Sequence, residues 1–282
     1  MTILVEFTVA MLMISTGMSL DPVRFAANWR RLSAAAWCRL LAATFILPPL
    51  LALLLGQVLP IGRPAMAGLF LIAVAPGAPL MTRNVARRGF DMHMAAGYQV
   101  WGALLAPLMI PLLVGGAAWL YGRQIWIPPL EVLAVVARQQ FLPLVIGMVM
   151  MHFAPAFSTR VRRLLNIAGN VTLTVVIIVL LIKLGPALYE VSPWLALAVI
   201  AQAAGCLAAA HWLLAYPGLS PQTLALSNVN RHVGLALLLS GAHFQNAPLA
   251  LPAIASYALV APFMMALYSR WVHHRPTPDS PL

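Results

Sequence analysis

Apolar residues run along this chain in stretches long enough, at about 20 residues each, to cross a bilayer as helices. Short polar clusters separate them, without the alternation or one-sided amphipathicity of a water-soluble domain. Nine stretches fit the pattern: 2–20, 39–60, 65–82, 93–120, 128–152, 166–187, 192–215, 222–244 and 248–270. Each is expected to be helical, because lipid offers no partner for an exposed backbone N–H or C=O. The first stretch lacks a basic lead and a small-residue cleavage site, so it reads as a retained span ending before Asp21-Pro22.

Two stretches are interrupted. "APGAPLMTRN" (75–84) places Pro76, Gly77 and Pro79 inside the third span, where missing N–H groups and ring clashes break a helix. "ALSNVNRHVGLALLLSG" (225–241) puts Ser227, Asn228, Asn230, Arg231 and His232 inside the eighth. Short polar side chains compete for backbone hydrogen bonds, so an unwound stretch is expected there too. Irregular backbone at membrane depth is tolerated where it is buried in protein or lines a wet cavity. Each interrupted span is followed by one containing a similar tetrapeptide, Ala106-Pro107-Leu108-Met109 and Ala261-Pro262-Phe263-Met264. In the nine-span plan the third and eighth spans run in opposite directions. Two related units of opposite orientation, each with a broken helix, point to a secondary transporter with a site near the midplane.

Composition agrees: 62% of residues are hydrophobic and 8% charged, too few charges to cover a soluble domain of 282 residues. The net charge of +11 does not mark a nucleic-acid binder, since the arginines fall in short clusters between apolar runs and form no basic face. Arg24, Arg30, Arg31 and Arg39 follow the first span; Arg87 and Arg88 follow the third. Arg160, Arg162 and Arg163 follow the fifth, and Arg270 and Arg275 the ninth. The alternate loops hold Arg63, Arg123 and Lys183. The positive-inside bias then sets the N-terminus outside and the C-terminus in the cytoplasm, with a disordered tail at 276–282. Cys38 and Cys206 are too few for a disulfide framework or metal cluster, and no metal ligand set is expected. Signatures of hydrolases, zinc enzymes and nucleotide binders are absent, so no enzyme is expected.

"MISTGMSL" (13–20), "APGAPL" (75–80) and "NRHVGLAL" (230–237), on this nine-span plan, resemble the bile acid:sodium symporter family, in its bacterial predicted sodium-dependent transporter branch. The resemblance implies an all-α polytopic protein in the bacterial plasma membrane, forming a single transporter domain over 1–275. A panel of 1–20 and 128–187 would face a core of 39–120 and 192–270, with the two broken helices crossing. Sodium-coupled members carry Pro-Gly-Gly-Thr-x-Ser-Asn at the first crossing; here Met81-Thr82 replaces the Ser-Asn pair. At the second they carry Glu-x-Gly-x-Gln-Asn, where this chain has Ser227 for the glutamate, Arg231 for the glutamine and His232 for the asparagine. Sodium is a hard cation that favours oxygen ligands, and a guanidinium supplies donors and charge instead. The resemblance therefore implies that the sodium sites are lost.

An intramembrane charge marks a functional site by default. Arg231 is expected either to replace a coupling cation, to bind an anion, or to hold opened backbone carbonyls. His232 is a candidate proton carrier or a hydrogen-bonded structural residue. Arg138 either pairs with Glu6 or faces a cavity with Gln139 and Gln140. Arg83 either lines a site or snorkels to the cytoplasm. Asn166, Asn170, Thr172 and Thr174 are spaced to share a face, as a cavity wall or a helix contact. The expected substrate or coupling residues are thus Arg231, His232, Asn230, Asn228, Ser227, Thr82, Pro76, Gly77, Arg138, Gln139 and Asn170. The expected function is movement of a small organic anion by alternating access, with no cofactor and Na⁺ or H⁺ as the coupling-ion alternatives. Use of sodium through non-standard ligands, or a membrane sensor that has lost transport, are the competing readings.

Overall fold

A computed structural model describes residues 2–19, 29, 32–121, 128–189, 191–243 and 250–274. The loop arginines Arg24, Arg30, Arg31, Arg123 and Arg275 and the tail 276–282 lie outside the described residues, as does Asp21-Pro22. Every described element is a helix: α1 (Thr2–Gly17), α2 (Ala34–Val58), α3 (Arg63–Val74), α4 (Met81–Ala86), α5 (Met92–Tyr121) and α6 (Pro129–Phe153). Then follow α7 (Pro155–Tyr189), α8 (Pro193–Leu213), α9 (Pro221–Val229), α10 (Val233–His243) and α11 (Ala250–His273). Among the described residues α2, α5, α6, α8 and α11 are long and apolar enough to cross a membrane, and α1 and α3 are shorter apolar helices. Leu50 and Leu54 on α2, Leu108 and Leu112 on α5 and Ile146 and Val149 on α6 lie outward and exposed. An apolar exterior of this extent is stable in lipid and aggregates in water.

The third and eighth apolar stretches are each two helices. α3 stops at Val74, and the chain continues without helix through Ala78 before α4 begins at Met81. In the eighth stretch, helix continues through Ser227 and Asn228, and the interruption falls at Asn230–His232. It is therefore shorter, and later in the chain, than the polar cluster alone indicates. A second difference concerns Arg160, Arg162 and Arg163, expected in a loop. α7 begins at Pro155, with Ala154 alone between it and the end of α6, and carries all three in its first turns. Proline is favoured at the first position of a helix, where its missing N–H costs nothing.

Two groups of helices can be distinguished by packing. α1 packs on α6 and α7, the other helices gather around α3 and α9, and α6 packs on α5 where the two groups adjoin. Gly17 and Gly147 set the α1–α6 approach: a Cβ on Gly17 would clash with Leu144 O, and one on Gly147 with Ile14 O. Small residues at such crossings bring two backbones into contact, the main source of helix association in lipid. In the other group α3 is buried from Ala65 to Val74 and α9 from Thr223 to Val229. A helix that is apolar all round packs on all sides, which is where α3 sits, against α2, α8 and α11.

Candidate functional site

The two breaks meet. Pro76 and Pro79 end α3, and Gly77 takes φ 81°, a left-handed conformation that only glycine adopts without strain. Carbonyls freed there find partners elsewhere. Ala75 O accepts the backbone N–H of His232 at 2.8 Å, and Pro76 O accepts Gln140 Nε2 at 3.2 Å. Asn84 Nδ2 reaches Asn230 Oδ1 at 3.3 Å, joining α4 to the second break by side chains. Thr82 Oγ1 donates to Gln99 Oε1 at 2.7 Å, and Gln99 Nε2 donates to Thr16 Oγ1 at 3.3 Å. That chain links α4 and α5 to α1 across the boundary between the helix groups.

Arg231 is turned into the protein, with 3% exposure. Its Nη1 donates to Thr44 O at 3.0 Å, and Nη2 donates to Asn228 Oδ1 at 2.7 Å. Tyr98 OH also donates to Asn228 Oδ1, at 2.8 Å. Asn228 Nδ2 in turn donates to Ala43 O and Cys206 O at 3.0 and 2.8 Å. The free carbonyls have a cause in the sequence "ATFILPPL" (43–50). Residues Ala42–Ile46 form a π-helical turn, in which the Leu47 N–H bonds Ala42 O instead of Ala43 O. Pro48 has no N–H to offer Thr44 O. Two carbonyls are thereby left for Arg231 and Asn228. Among the described residues no carboxylate contacts the guanidinium. π turns recur at functional sites, and a second one, Ala137–Phe141, precedes Leu142-Pro143 and carries Arg138, Gln139 and Gln140.

Other expected residues fall around this arrangement. His232 Nδ1 accepts the Leu235 N–H at 3.1 Å and caps α10. Ser227 Oγ bonds Thr223 O of its own helix at 2.9 Å. Gln139 is buried beside Gln140. Arg138 is 67% exposed and pairs with Glu6 at 3.0 Å, joining α6 to α1. Thr172 and Thr174 bond carbonyls of α7 itself.

A cavity of about 980 Å³ lies between the helix groups, entered from the end where α1 stops and α7 starts. Thr16 and Ser19 border it on and just after α1; Thr82, Arg83 and Arg87 on and after α4; His93 and Gln99 on α5; and Arg162, Arg163, Asn166 and Asn170 on α7. Of the expected site residues it brings together Thr82 and Asn170; Arg231, His232, Asn230, Asn228, Ser227, Pro76, Gly77, Arg138 and Gln139 do not line it. The guanidinium groups of Arg83, Arg87, Arg162 and Arg163 have no hydrogen-bond or ion-pair partner among the described residues, and no carboxylate is in the lining. Arg88, their neighbour, instead spends its guanidinium on Asn84 O and Pro262 O. The hydropathy pattern puts Arg87, Arg162 and Arg163 in loops and gives no sign of Thr16 and Gln99. The signal for Arg162 was present: with α7 started at Pro155, residues 162, 166 and 170 fall on one helical face.

Here the molecule is defined as a polytopic helical membrane protein with two interrupted helices meeting beside a basic cavity. A family model described as the Sodium Bile acid symporter family matches residues 6–190, more than half of the chain, and the protein belongs to this family. Members of the family are transporters. No curated protein matches the chain as a relative.

Proposed function

We propose that the protein is a secondary transporter that moves a small organic anion across the plasma membrane by alternating access. The observation that carries this reading is the cavity between the helix groups, bordered by Arg83, Arg87, Arg162 and Arg163 with no balancing carboxylate. An anion brings the missing charge. On this reading α1, α6 and α7 act as a panel and the remaining helices as a core, making nine crossings. The interrupted helices α3–α4 and α9–α10 are the crossing pair of an inverted repeat. The fall of Arg39, Arg87, Arg88, Arg162, Arg163 and Arg270 in connections that the nine-crossing plan puts on one side supports an N-terminus outside, a cytoplasmic C-terminus and a cavity open to the cytoplasm.

Coupling follows from the second break. Arg231 fills a buried pocket of neutral oxygens, Thr44 O and Asn228 Oδ1, with a positive charge fixed to the chain. A site of that make-up holds a cation, and the tethered one takes the place of a mobile ion. Transport then proceeds without sodium. The test is uptake of labelled organic anions by purified protein in liposomes, with and without a sodium gradient. Uptake above that of protein-free liposomes and indifferent to sodium supports the reading. Sodium-stimulated uptake contradicts the tethered-cation part, and no uptake of any anion points to a membrane sensor that has kept the fold.

A further inference from the structure

The chemistry of the cavity wall also restricts what fits in it. Guanidinium groups approach from two sides. Arg83 and Arg87, four residues apart, stand on and just after α4, and Arg162 and Arg163 stand on α7. A single carboxylate or sulfonate at one end of a molecule satisfies one side and leaves the pair of charges on the other side without a counter-charge. A molecule with anionic groups at both ends satisfies both, since each guanidinium offers a planar fork for an oxyanion. Between the arginines the wall is polar: Thr16, Thr82, Gln99, Asn166 and Asn170 place hydroxyls and amides there. Pro79, Leu80, Ala86, Met92, Ala96 and Ile167 supply the apolar part of the lining. A rigid steroid monoanion would press its large apolar faces against these hydroxyls and amides as well as against the apolar side chains. Burying it here would strip water from the hydroxyls and amides without replacing their hydrogen bonds.

We infer that the substrate is a small hydrophilic molecule with at least two anionic groups, of the di- or tricarboxylate class, and not an amphipathic steroid monoanion. This rests on the anion-carrier reading. It adds that Arg83 and Arg162 determine specificity by gripping opposite ends of one substrate. The arginines come from elements on either side of the cavity, so a molecule held by both bridges the two helix groups.

The experiment compares uptake of labelled succinate, citrate and taurocholate into liposomes holding the purified full-length protein. Succinate or citrate enters and taurocholate does not. Arg83→Gln and Arg162→Gln each raise the KM for the dianion by about tenfold, the loss expected for one charge-assisted contact. Arg83→Lys, which keeps the charge, recovers part of that loss. A monocarboxylate such as labelled propionate enters far more slowly than succinate, and propionate uptake equal to that of succinate overturns the need for two anionic groups. Taurocholate uptake without succinate or citrate uptake overturns the inference while leaving an anion carrier in place. Absence of uptake for every anion overturns both. Equal uptake of succinate by wild type and both glutamine variants also overturns it, because the arginines then do not touch the substrate.

Discussion

The backbone N–H of His232 donates to the carbonyl of Ala75 at 2.8 Å, so the interrupted helices are tied to each other at their breaks. This bond does not depend on the side chain at 232. The imidazole has a separate task, since its Nδ1 accepts the Leu235 N–H and caps α10. His232→Ala is therefore expected to lower stability by about 1 kcal/mol, the usual worth of an N-cap. His232→Asn, which caps equally well, is expected to keep it. Thermal unfolding in detergent measures both. Loss of uptake by the asparagine variant with unchanged stability would show the imidazole itself taking part in transport.

Gly77 carries the sharp turn of the first break. Its φ of 81° strains any side chain, and a Cβ there would lie 3.1 Å from Gln140 Nε2 and 3.3 Å from Gln99 O. Gly77→Ala is expected to destabilise by more than about 1 kcal/mol. Gly116 on α5 is the control, because a Cβ there meets nothing within 4 Å. Gly116→Ala should be neutral or stabilising by up to about 1 kcal/mol, since alanine is the better helix former. A neutral Gly77→Ala contradicts the description of the break.

The Arg231 pocket predicts an unusual proline effect. Replacing a proline inside a helix normally stabilises it, by as much as about 3 kcal/mol. Pro48→Ala instead supplies the N–H that bonds Thr44 O, the acceptor used by Arg231 Nη1. The expected result is a net loss of stability, because a buried guanidinium is left with fewer acceptors. Arg231→Lys should also destabilise, since one ammonium does not span Thr44 O and Asn228 Oδ1 as the fork does. A Pro48→Ala protein with a raised melting temperature contradicts the dependence of Arg231 on that carbonyl.

How far the sequence reaches is clear from these residues. Pro76, Gly77 and Pro79 announce a broken helix because their effect is local and steric, and the break lies where they stand. The direction in which Arg231 points was not legible. It depends on carbonyls opened in α2 by Pro48, far along the chain, and on the rotation of α9 against them. Arg162 was misplaced for a different reason. Hydropathy drops across residues 155–165, so the apolar run begins late, although Pro155 starts the helix. Of the two open readings of Arg138, the structure displays the pairing with Glu6.

That pair makes a prediction of little effect. Arg138 is 67% exposed and Glu6 32% exposed, and exposed ion pairs contribute about 0–1 kcal/mol. Glu6→Gln and Arg138→Gln are each expected to leave the melting temperature nearly unchanged and uptake within about twofold of wild type, by the same small energy. A large loss of uptake in Arg138→Gln alone would place that arginine on the substrate path.

The central claim is that the arginine-bordered cavity between the helix groups carries an organic anion by turns to each side of the membrane. Counterflow tests it most directly. Liposomes holding the protein are loaded with unlabelled dicarboxylate and diluted into sodium-free medium containing a trace of the labelled compound. The account predicts transient accumulation of label by wild-type protein, reduced to the level of protein-free liposomes when Arg83 and Arg162 are both replaced by glutamine. Absence of counterflow in the wild type, or undiminished counterflow in the double variant, contradicts it.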